Sequence, residues 1–505
     1  MGIVAGLDSS SASTRIVVCD TETGAVVRQG YAPHPDGKGP DVDPQTWLMS
    51  LGEAAAGGLL EGVQAIGVSA QQHGLLPLDS DGALVRPALM GNDKRAQSAA
   101  ADLIDALGGR SAWAQGVGSV PHAAQPVAKL RWLARAEPEH AARVAEIMQP
   151  HDWLVWQLLG RPARRTTDRG GASGTGFWSA ASGAYRPDLV ELALGHQVRL
   201  PEVLGPADAA GVTPEGLLIS AGTGETMAAA FGLGVGTGDA VVSLGASGSV
   251  FGIHHEALAD STGTITSFAD ATGMHLPVVH TSNAVRVLRG MAEALGTDLE
   301  GLSDLALKST PGSYGMVMLP YLEGERTPHL PHTAGSLHGL RRESMKPEHM
   351  ARAAVEGMLC GLADALDVLR GRGVPVRRVF LLGAAAELGA VQAAAPALLG
   401  AQVVVPQPAD YAAVGAARQA AWALGLAHGT HTAQEPPRWP AAACQVFEPG
   451  EELAVGQAVR QQYTSVREET HPGAFEEATG GHEAAGSPAE SPVGSPAAGQ
   501  EAVEG

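Results

Sequence analysis

Short apolar runs broken by small and polar residues set the rhythm of this chain. Ile3 to Leu7 runs into Asp8, and Ile16-Val17-Val18-Cys19 follows. A third run begins at Ala25, after the turn Asp20-Thr21-Glu22-Thr23-Gly24. Runs of this length bounded by turn residues predict strands, here a β-meander over roughly the first 30 residues. A second meander is predicted from Asp239: Ala240-Val241-Val242, a loop, then Val250-Phe251-Gly252-Ile253. Ala65 to Ser69, Ile219 to Ala221, Val379 to Leu382 and Gln402 to Val405 read as further strands. Asp79-Ser80-Asp81-Gly82 reads as a hairpin turn. Helical periodicity is predicted within Pro44 to Glu61, around Trp47, Leu48 and Leu51, with Asp43 as N-cap and Pro44 at the first helical position. It is also predicted over Lys94–Leu107, Ala124–Ala136, Glu139–Met148, Asp152–Leu159, Met227–Leu233, Met350–Leu369 and Val414–Leu424. From about Arg467 the chain turns to Glu, Gly, Ala, Ser and Pro, with Ser-Pro pairs at 487, 491 and 495. Such a segment buries too little apolar surface to offset its ordering entropy, so an acidic disordered tail is expected over 467–505.

The loops inside the two meanders look like copies of one device. The first is Ser9-Ser10-Ser11-Ala12-Ser13-Thr14-Arg15 after Asp8; the second is Ser243-Leu244-Gly245-Ala246-Ser247-Gly248-Ser249. A strand, a Gly/Ser-rich bend and a returning strand present a row of backbone N–H groups and hydroxyls, a geometry suited to a phosphate. Its occurrence twice, half a chain apart, predicts two related lobes closing on one nucleotide.

Composition narrows this picture. At 505 residues the chain is too long for a single core, and two large domains are expected. Lys and Arg total 33 against 53 Asp and Glu, a formal charge of −20, which disfavours nonspecific nucleic-acid or anionic-membrane binding. The three cysteines, Cys19, Cys360 and Cys444, make no disulfide framework and no zinc spacing. No signal core and no apolar run of about 18 residues is present, so a cytoplasmic protein without a membrane partner is expected.

Six matches, in order and spacing, carry a resemblance. They are Gly6-Leu7-Asp8-Ser9-Ser10-Ser11-Ala12-Ser13-Thr14-Arg15, Gln71-Gln72-His73-Gly74, Asn92-Asp93-Lys94-Arg95, Pro150-His151-Asp152-Trp153-Leu154 with Gly160, Leu319-Pro320-Tyr321-Leu322-Glu323-Gly324-Glu325-Arg326-Thr327-Pro328, and Gly415-Ala416-Ala417. Over about residues 3 to 425 the chain resembles the FGGY carbohydrate kinases, the xylulokinases among them. The resemblance implies an α/β fold of two ribonuclease H-like domains of the actin and hexokinase type. Each would be a mixed five-stranded sheet with helices on both faces, and a nucleotide cleft would lie between them. The implied divisions are a sugar-binding lobe over 1–237, a nucleotide-binding lobe over 238–430 and an extension over 431–466 before the tail. Dimers are common in the family, and a homodimer is the assembly implied.

Asp8 would hold Mg²⁺ directly or through water beside the ATP phosphates; a turn-forming Asp bonded to its own loop is the competing reading. Ser11, Ser13, Thr14 and Arg15 either reach phosphate or steady the loop. Gly245, Ala246, Ser247 and Gly248 form the second phosphate loop, with Ala246 where the family usually has Thr, or an ordinary hairpin. Gly383 and Ala384 begin Gly383-Ala384-Ala385-Ala386-Glu387-Leu388. The family commonly has Gly-Gly-Gly-Ala-Arg/Lys-Ser there, against the adenosine. Leu382 and Gly415 suit a purine pocket and plain core packing equally. Gln72 and His73 carry groups suited to the oxygens of an open-chain sugar, and Asn92 and Arg95 are further candidates.

The family's Gly-x-Gly-Asp-Asn loop supplies a general base from its Asp; this chain has Gly222-Thr223-Gly224-Glu225-Thr226. Glutamate keeps the proton chemistry. Its additional methylene moves the carboxylate by about 1 Å unless the loop compensates, and Thr226 lacks the amide of the usual sugar-contacting Asn. Helix capping is the competing reading of Glu225. The function implied is an ATP- and Mg²⁺-dependent kinase phosphorylating a pentulose, D-xylulose to D-xylulose 5-phosphate. Another ketose, a polyol or a gluconate-like acid are alternative substrates. The changes at Glu225, Thr226, Ala246 and 384–388 support a second class, a non-catalytic or regulatory sugar-binding homologue. An actin-like ATPase explains less, because it leaves Gln71–Gly74 and Pro320–Pro328 without a role.

Overall fold

A computed structural model describes residues 2–35 and 39–479. Two seven-stranded mixed sheets organise the chain. In the first, β1 (Ile3–Ser9), β2 (Ser13–Asp20) and β3 (Val26–Pro33) form the antiparallel meander, and β4 (Val63–Ala70) lies parallel to β1 on its other side. Strands β5 (Ala209–Val212) and β6 (Leu218–Ser220) continue beyond β4, which β7 (Thr223–Gly224) also joins. In the second sheet β8 (Gly238–Leu244) and β9 (Gly248–Gly252) form the hairpin. Strands β10 (Ile265–Ala269) and β11 (His275–Thr281) extend it on one side, and β12 (Val376–Leu382), β13 (Gln402–Pro406) and β14 (Cys444–Phe447) on the other. The expected five-stranded unit recurs in both: three antiparallel strands, then two parallel ones. Each sheet exceeds it by two strands, because β5 and β14 pair antiparallel at one edge, and β7 and β10 add one more apiece.

The register makes the likeness of the lobes specific. Asp8 lies opposite Arg15 across the hairpin and beside Ser69 of β4. Ser243 lies opposite Ser249 and beside Leu382 of β12. The two residues therefore hold corresponding places, each the second pair back from its turn.

The lobes are joined by a helix from the second half of the chain, Tyr411–Ala427. It packs its backbone on the first sheet. A Cβ at Gly6 would stand 1.8 Å from the Ala413 carbonyl oxygen, and one at Gly67 1.9 Å from that of Ala416. The helix is Ala-rich for the same reason: small side chains allow the close approach. On its other side it meets the helix Glu225–Leu233, where a Cβ at Gly415 would stand 1.8 Å from the Ala228 carbonyl oxygen.

Two expectations are corrected. The helix expected over Glu139–Met148 is a single turn, Pro138–Ala141, followed by a strand, Glu146–Met148, paired to Leu76–Leu78. Glu146 is buried there and holds Arg165 and Arg199, so its place in the pattern is not that of a solvent-facing helical residue. The tail expected from Arg467 starts too early, because Leu453–Thr470 is a helix. Val459, Tyr463 and Arg467, four residues apart, form its buried face. Arg467 pairs with buried Asp364 of the helix Pro347–Gly371 and lies over Phe475 at 4.1 Å. The remainder of that expectation, from residue 480, lies outside the described residues.

Candidate active site

Between the sheets lies a cavity of about 760 Å³. The first lobe lines it with Asp8, Ser11, Gln72, His73, Asn92, His122, Glu225 and Thr226. The second contributes Ser243, Ser247, Gly248, Phe251, His280, Arg326 and Leu382. Both hairpin loops open into this one space.

Asp8 ends an apolar strand and is 8% exposed. Ser69 donates to its Oδ1 at 2.7 Å. Burial first, and then the facing Glu225 carboxylate, push the Asp8 pKa up to about 7, against the pull of Ser69 and Arg15. A buried and a half-buried carboxylate in one cleft repel unless a cation or a proton lies between them. Among the described residues no group of three or more His, Cys, Asp or Glu side chains is placed to hold an ion. A single carboxylate can hold a cation only together with ligands from outside the protein, such as phosphate and water.

Glu225 is the first residue of the 225–233 helix, whose N-cap, Gly224, has no side-chain capping bond. The Glu225 carboxylate instead accepts the backbone N–H of Gln72, while burial raises its pKa above the ordinary value. The loop before it is tied down on two sides. Gln419 Nε2 donates to the Gly222 carbonyl at 3.0 Å, and Thr223 Oγ1 donates to Asp168 Oδ2 at 2.9 Å. Asp168 in turn lies 3.0 Å from His151 Nε2, which is 2.9 Å from Asp152.

Gln72 and Thr226 meet, but they engage each other: Thr226 Oγ1 donates to Gln72 Oε1 at 2.6 Å, and Gln72 Nε2 donates to Met227 Sδ at 3.2 Å. Gln72 thus orients Glu225 and Thr226. His73 has φ 62°, a left-handed conformation uncommon for a residue with a Cβ. The Lys129 ammonium holds this turn, donating to the His73 carbonyl at 2.5 Å and to that of Leu89 at 3.2 Å. His73 Nδ1 lies 3.1 Å from the Gly174 carbonyl oxygen. Since a carbonyl only accepts, Nδ1 carries the proton, and Nε2 is left as an acceptor in the neutral ring. Burial, with help from Lys129 and Arg326, lowers the His73 pKa to about 4, so the ring is neutral. Asn92 lines the cavity with it. Arg95 does not; it is spent on Asp93 and Asp41.

The predicted nucleotide residues divide. Ser11, Ser247 and Gly248 line the cavity. Ser13, Thr14 and Arg15 do not; β2 begins at Ser13, so they belong to the strand and not to the loop. Ser13 and Thr14 are buried, Thr14 Oγ1 meets His34 Nε2 at 2.8 Å, and Arg15 pairs with Asp410 at 2.5 Å. Gly245 and Ala246 are exposed at the turn, and their carbonyls accept the N–H groups of Val285 and Ala284 at the start of the helix Val285–Ala294. Gly383 and Ala384 are exposed and follow Leu382, which lines the cavity. Gly383 has φ 101°, and a Cβ there would stand 2.4 Å from the Leu244 carbonyl oxygen, so glycine is required where this loop crosses the second hairpin. Gly415 packs on the 225–233 helix and is not among the lining residues.

His122, His280, Arg326 and Lys129 were not singled out from the sequence. A single histidine at the end of an apolar strand, as His280 is, carries no local signal. Arg326 sat in plain view inside a ten-residue motif, and Lys129 interrupts the apolar face of a helix, Pro126–Ala136. Either could have been marked on that ground.

Comparison with known proteins places this geometry. Residues 3–234 match the N-terminal domain, and residues 240–424 the C-terminal domain, of the FGGY family of carbohydrate kinases. A xylulose kinase of Streptomyces coelicolor is 40% identical over 459 residues, covering 88% of this chain and 92% of that one. One from Streptomyces rubiginosus is 40% identical over 463 residues, with the same coverage. The crystal structure of xylulose kinase from Bifidobacterium adolescentis superposes with a TM-score of 0.84 at 37% identity, covering 92% of this chain and 99% of that chain. The fold and cleft are those of a two-domain sugar phosphotransferase. The chain belongs to the FGGY family of carbohydrate kinases, whose members use ATP, generally with a divalent metal. Among the described residues no helix is long and apolar enough to cross a membrane.

Proposed function

We propose that this carbohydrate kinase phosphorylates D-xylulose, with Glu225 as general base, Mg²⁺ as the metal and D-xylulose 5-phosphate as product. The observation that carries the reading is the placement of the Glu225 carboxylate. It faces Asp8 in the cleft and is oriented by the Gln72 N–H, although it is one methylene longer than the family's usual Asp. A carboxylate raised by burial is a better proton acceptor near neutral pH than a solvated one. Glu225 would take the proton from the attacking sugar hydroxyl. His73 Nε2 would accept a second hydroxyl and fix the chain of the sugar. Asp8 would hold the cation, which when bound supplies charge neutralisation for the transferring phosphoryl group. Ser11, Ser247 and Gly248 would position the phosphates, and Leu382 with the Gly383 loop would take the adenosine. Contact between the lobes would exclude water from the transfer.

The test measures ADP release with ATP-Mg²⁺ and a panel of ketoses for the native chain, Glu225→Gln and Glu225→Asp. Turnover with D-xylulose is expected, falling about 10²- to 10⁴-fold in Glu225→Gln. A native chain inert toward every sugar, with turnover appearing in Glu225→Asp, would overturn the reading in favour of a non-catalytic homologue.

A further inference from the structure

The sugar end of the cavity holds an arginine with nothing to pair with. Arg326 follows Glu325, the nearest carboxylate in sequence, but that carboxylate is already used. Its oxygens accept the Ser282 N–H at 2.6 Å, the Arg326 N–H at 2.7 Å and Asn283 Nδ2 at 2.9 Å. The Arg326 guanidinium makes no hydrogen bond or ion pair with any described residue, and it is exposed where it lines the cavity. A guanidinium open to a cavity and engaged by no protein acceptor leaves its N–H donors free for a ligand.

What surrounds it points to the use. Thr327 Oγ1 donates to the His280 carbonyl at 2.9 Å, which pins the arginine's segment against β11. His73 stands edge-on to His122 with ring centroids 5.4 Å apart, and Phe268 of β10 lies 5.7 Å from His73. All three histidines line the cavity with Arg326, and its charge bears on the protonation of each. Asp8 instead responds to the Glu225 carboxylate. The cavity is therefore polarised. Carboxylates stand at the phosphoryl-transfer end; a guanidinium among neutral imidazoles stands at the other, with Lys129, whose burial lowers its pKa to about 7, behind the His73 turn.

We infer that Arg326, reaching in from the second lobe, is a substrate-binding residue that grips the electron-rich end of the sugar, the hydroxyketone of a ketose or the carboxylate of an aldonic acid. Its two parallel N–H groups fit paired oxygens in one plane. The inference deepens the proposed function and rests on that reading of the cleft. It adds that the nucleotide lobe also reads the sugar, so the sugar site is complete only with both lobes in contact.

The test uses the full chain with three probes that differ at that end: D-xylulose, the neutral alditol xylitol and the anion D-xylonate. Calorimetric titration of xylonate and xylitol needs no turnover. Xylonate binding is expected to weaken about 10- to 100-fold in Arg326→Met, with xylitol changing less than about threefold and Arg326→Lys retaining part of the xylonate affinity through its charge. KM for D-xylulose should rise by a similar factor, with KM for ATP unchanged. Absence of xylonate binding to the native chain, equal weakening of xylonate and xylitol, or a rise confined to KM for ATP would each overturn the inference. A native chain that binds xylonate through Arg326 but phosphorylates no ketose would refute the proposed function and leave this inference standing.

Discussion

Replacing His151 by Gln should remove a pH-dependent part of the stability of the first lobe. The His151 side chain is 1% exposed, with Nε2 2.9 Å from Asp152 Oδ1 and 3.0 Å from Asp168 Oδ1. Neither contact has good hydrogen-bond angles, so the attraction is mainly ionic. Burial opposes the charge, but Asp152 and then Asp168 outweigh it, and the imidazole pKa rises from an ordinary 6.5 to about 10. Tyr185, which also faces these carboxylates, stays neutral, because burial and their charge push its pKa further up. The native fold therefore keeps a proton that the unfolded chain releases near pH 6.5. The stabilisation is fully present below that pH and falls by about 1.4 kcal/mol per pH unit above it. It is gone once pH passes about 10. At pH 6 the Gln variant leaves two buried carboxylates without their cation, at a cost of about 3–5 kcal/mol. Urea unfolding followed by tryptophan fluorescence at pH 6, 8 and 9.5 reads this out, since Trp153 and Trp156 lie on the same helix, Pro150–Leu158. The gap between native and variant should narrow steadily with pH. A gap of constant size would mean a neutral imidazole in the fold and would refute the reasoning.

Gly6→Ala should destabilise the chain by about 3 kcal/mol or more, because its methyl would overlap the Ala413 carbonyl of the joining helix. Gly52→Ala, in the exposed part of the helix Gln45–Ala54 with nothing within 4 Å, should instead stabilise by up to about 1 kcal/mol, and denaturant midpoints compare the two. Asp364→Ala should cost about 3–5 kcal/mol, because it leaves buried Arg467 without its main carboxylate and frees the 453–470 helix; limited proteolysis should then cut within that helix first.

The elements legible in the sequence were those whose signal is local. Both hairpins stood out because apolar runs flank Gly/Ser bends, and the structure places both loops in one cavity. The 139–148 segment misled because Glu146 looks like a helix surface residue until the distant Arg165 and Arg199 bury it. Composition likewise misplaced the start of the tail, although Val459, Tyr463 and Arg467 mark a buried helical face at a spacing of four. Ser13, Thr14 and Arg15 read as either reaching phosphate or steadying the loop; β2 begins at Ser13, and none of the three lines the cavity. His280 meets the other cavity residues only through partners far away in sequence, so no window along the chain could have assigned it, whereas Lys129 left a local mark as a buried lysine on an apolar helix face.

The correspondence of Asp8 and Ser243 explains why two copies of one device carry one carboxylate. Both hairpins aim the same register position into the cleft, so an acidic residue in each would place three carboxylates, counting Glu225, in one desolvated space. Two already raise Asp8 to about 7. A third would favour protons over a metal ion at neutral pH and repel the phosphates that the backbone donors are there to hold. With Ser243 neutral, the second loop is free to accept phosphate, leaving the first for the cation role proposed for Asp8. The lobes of a duplicated fold must diverge at this position before a nucleotide can sit between them, and divergence there, more than the loops themselves, makes the cleft a site for phosphoryl transfer.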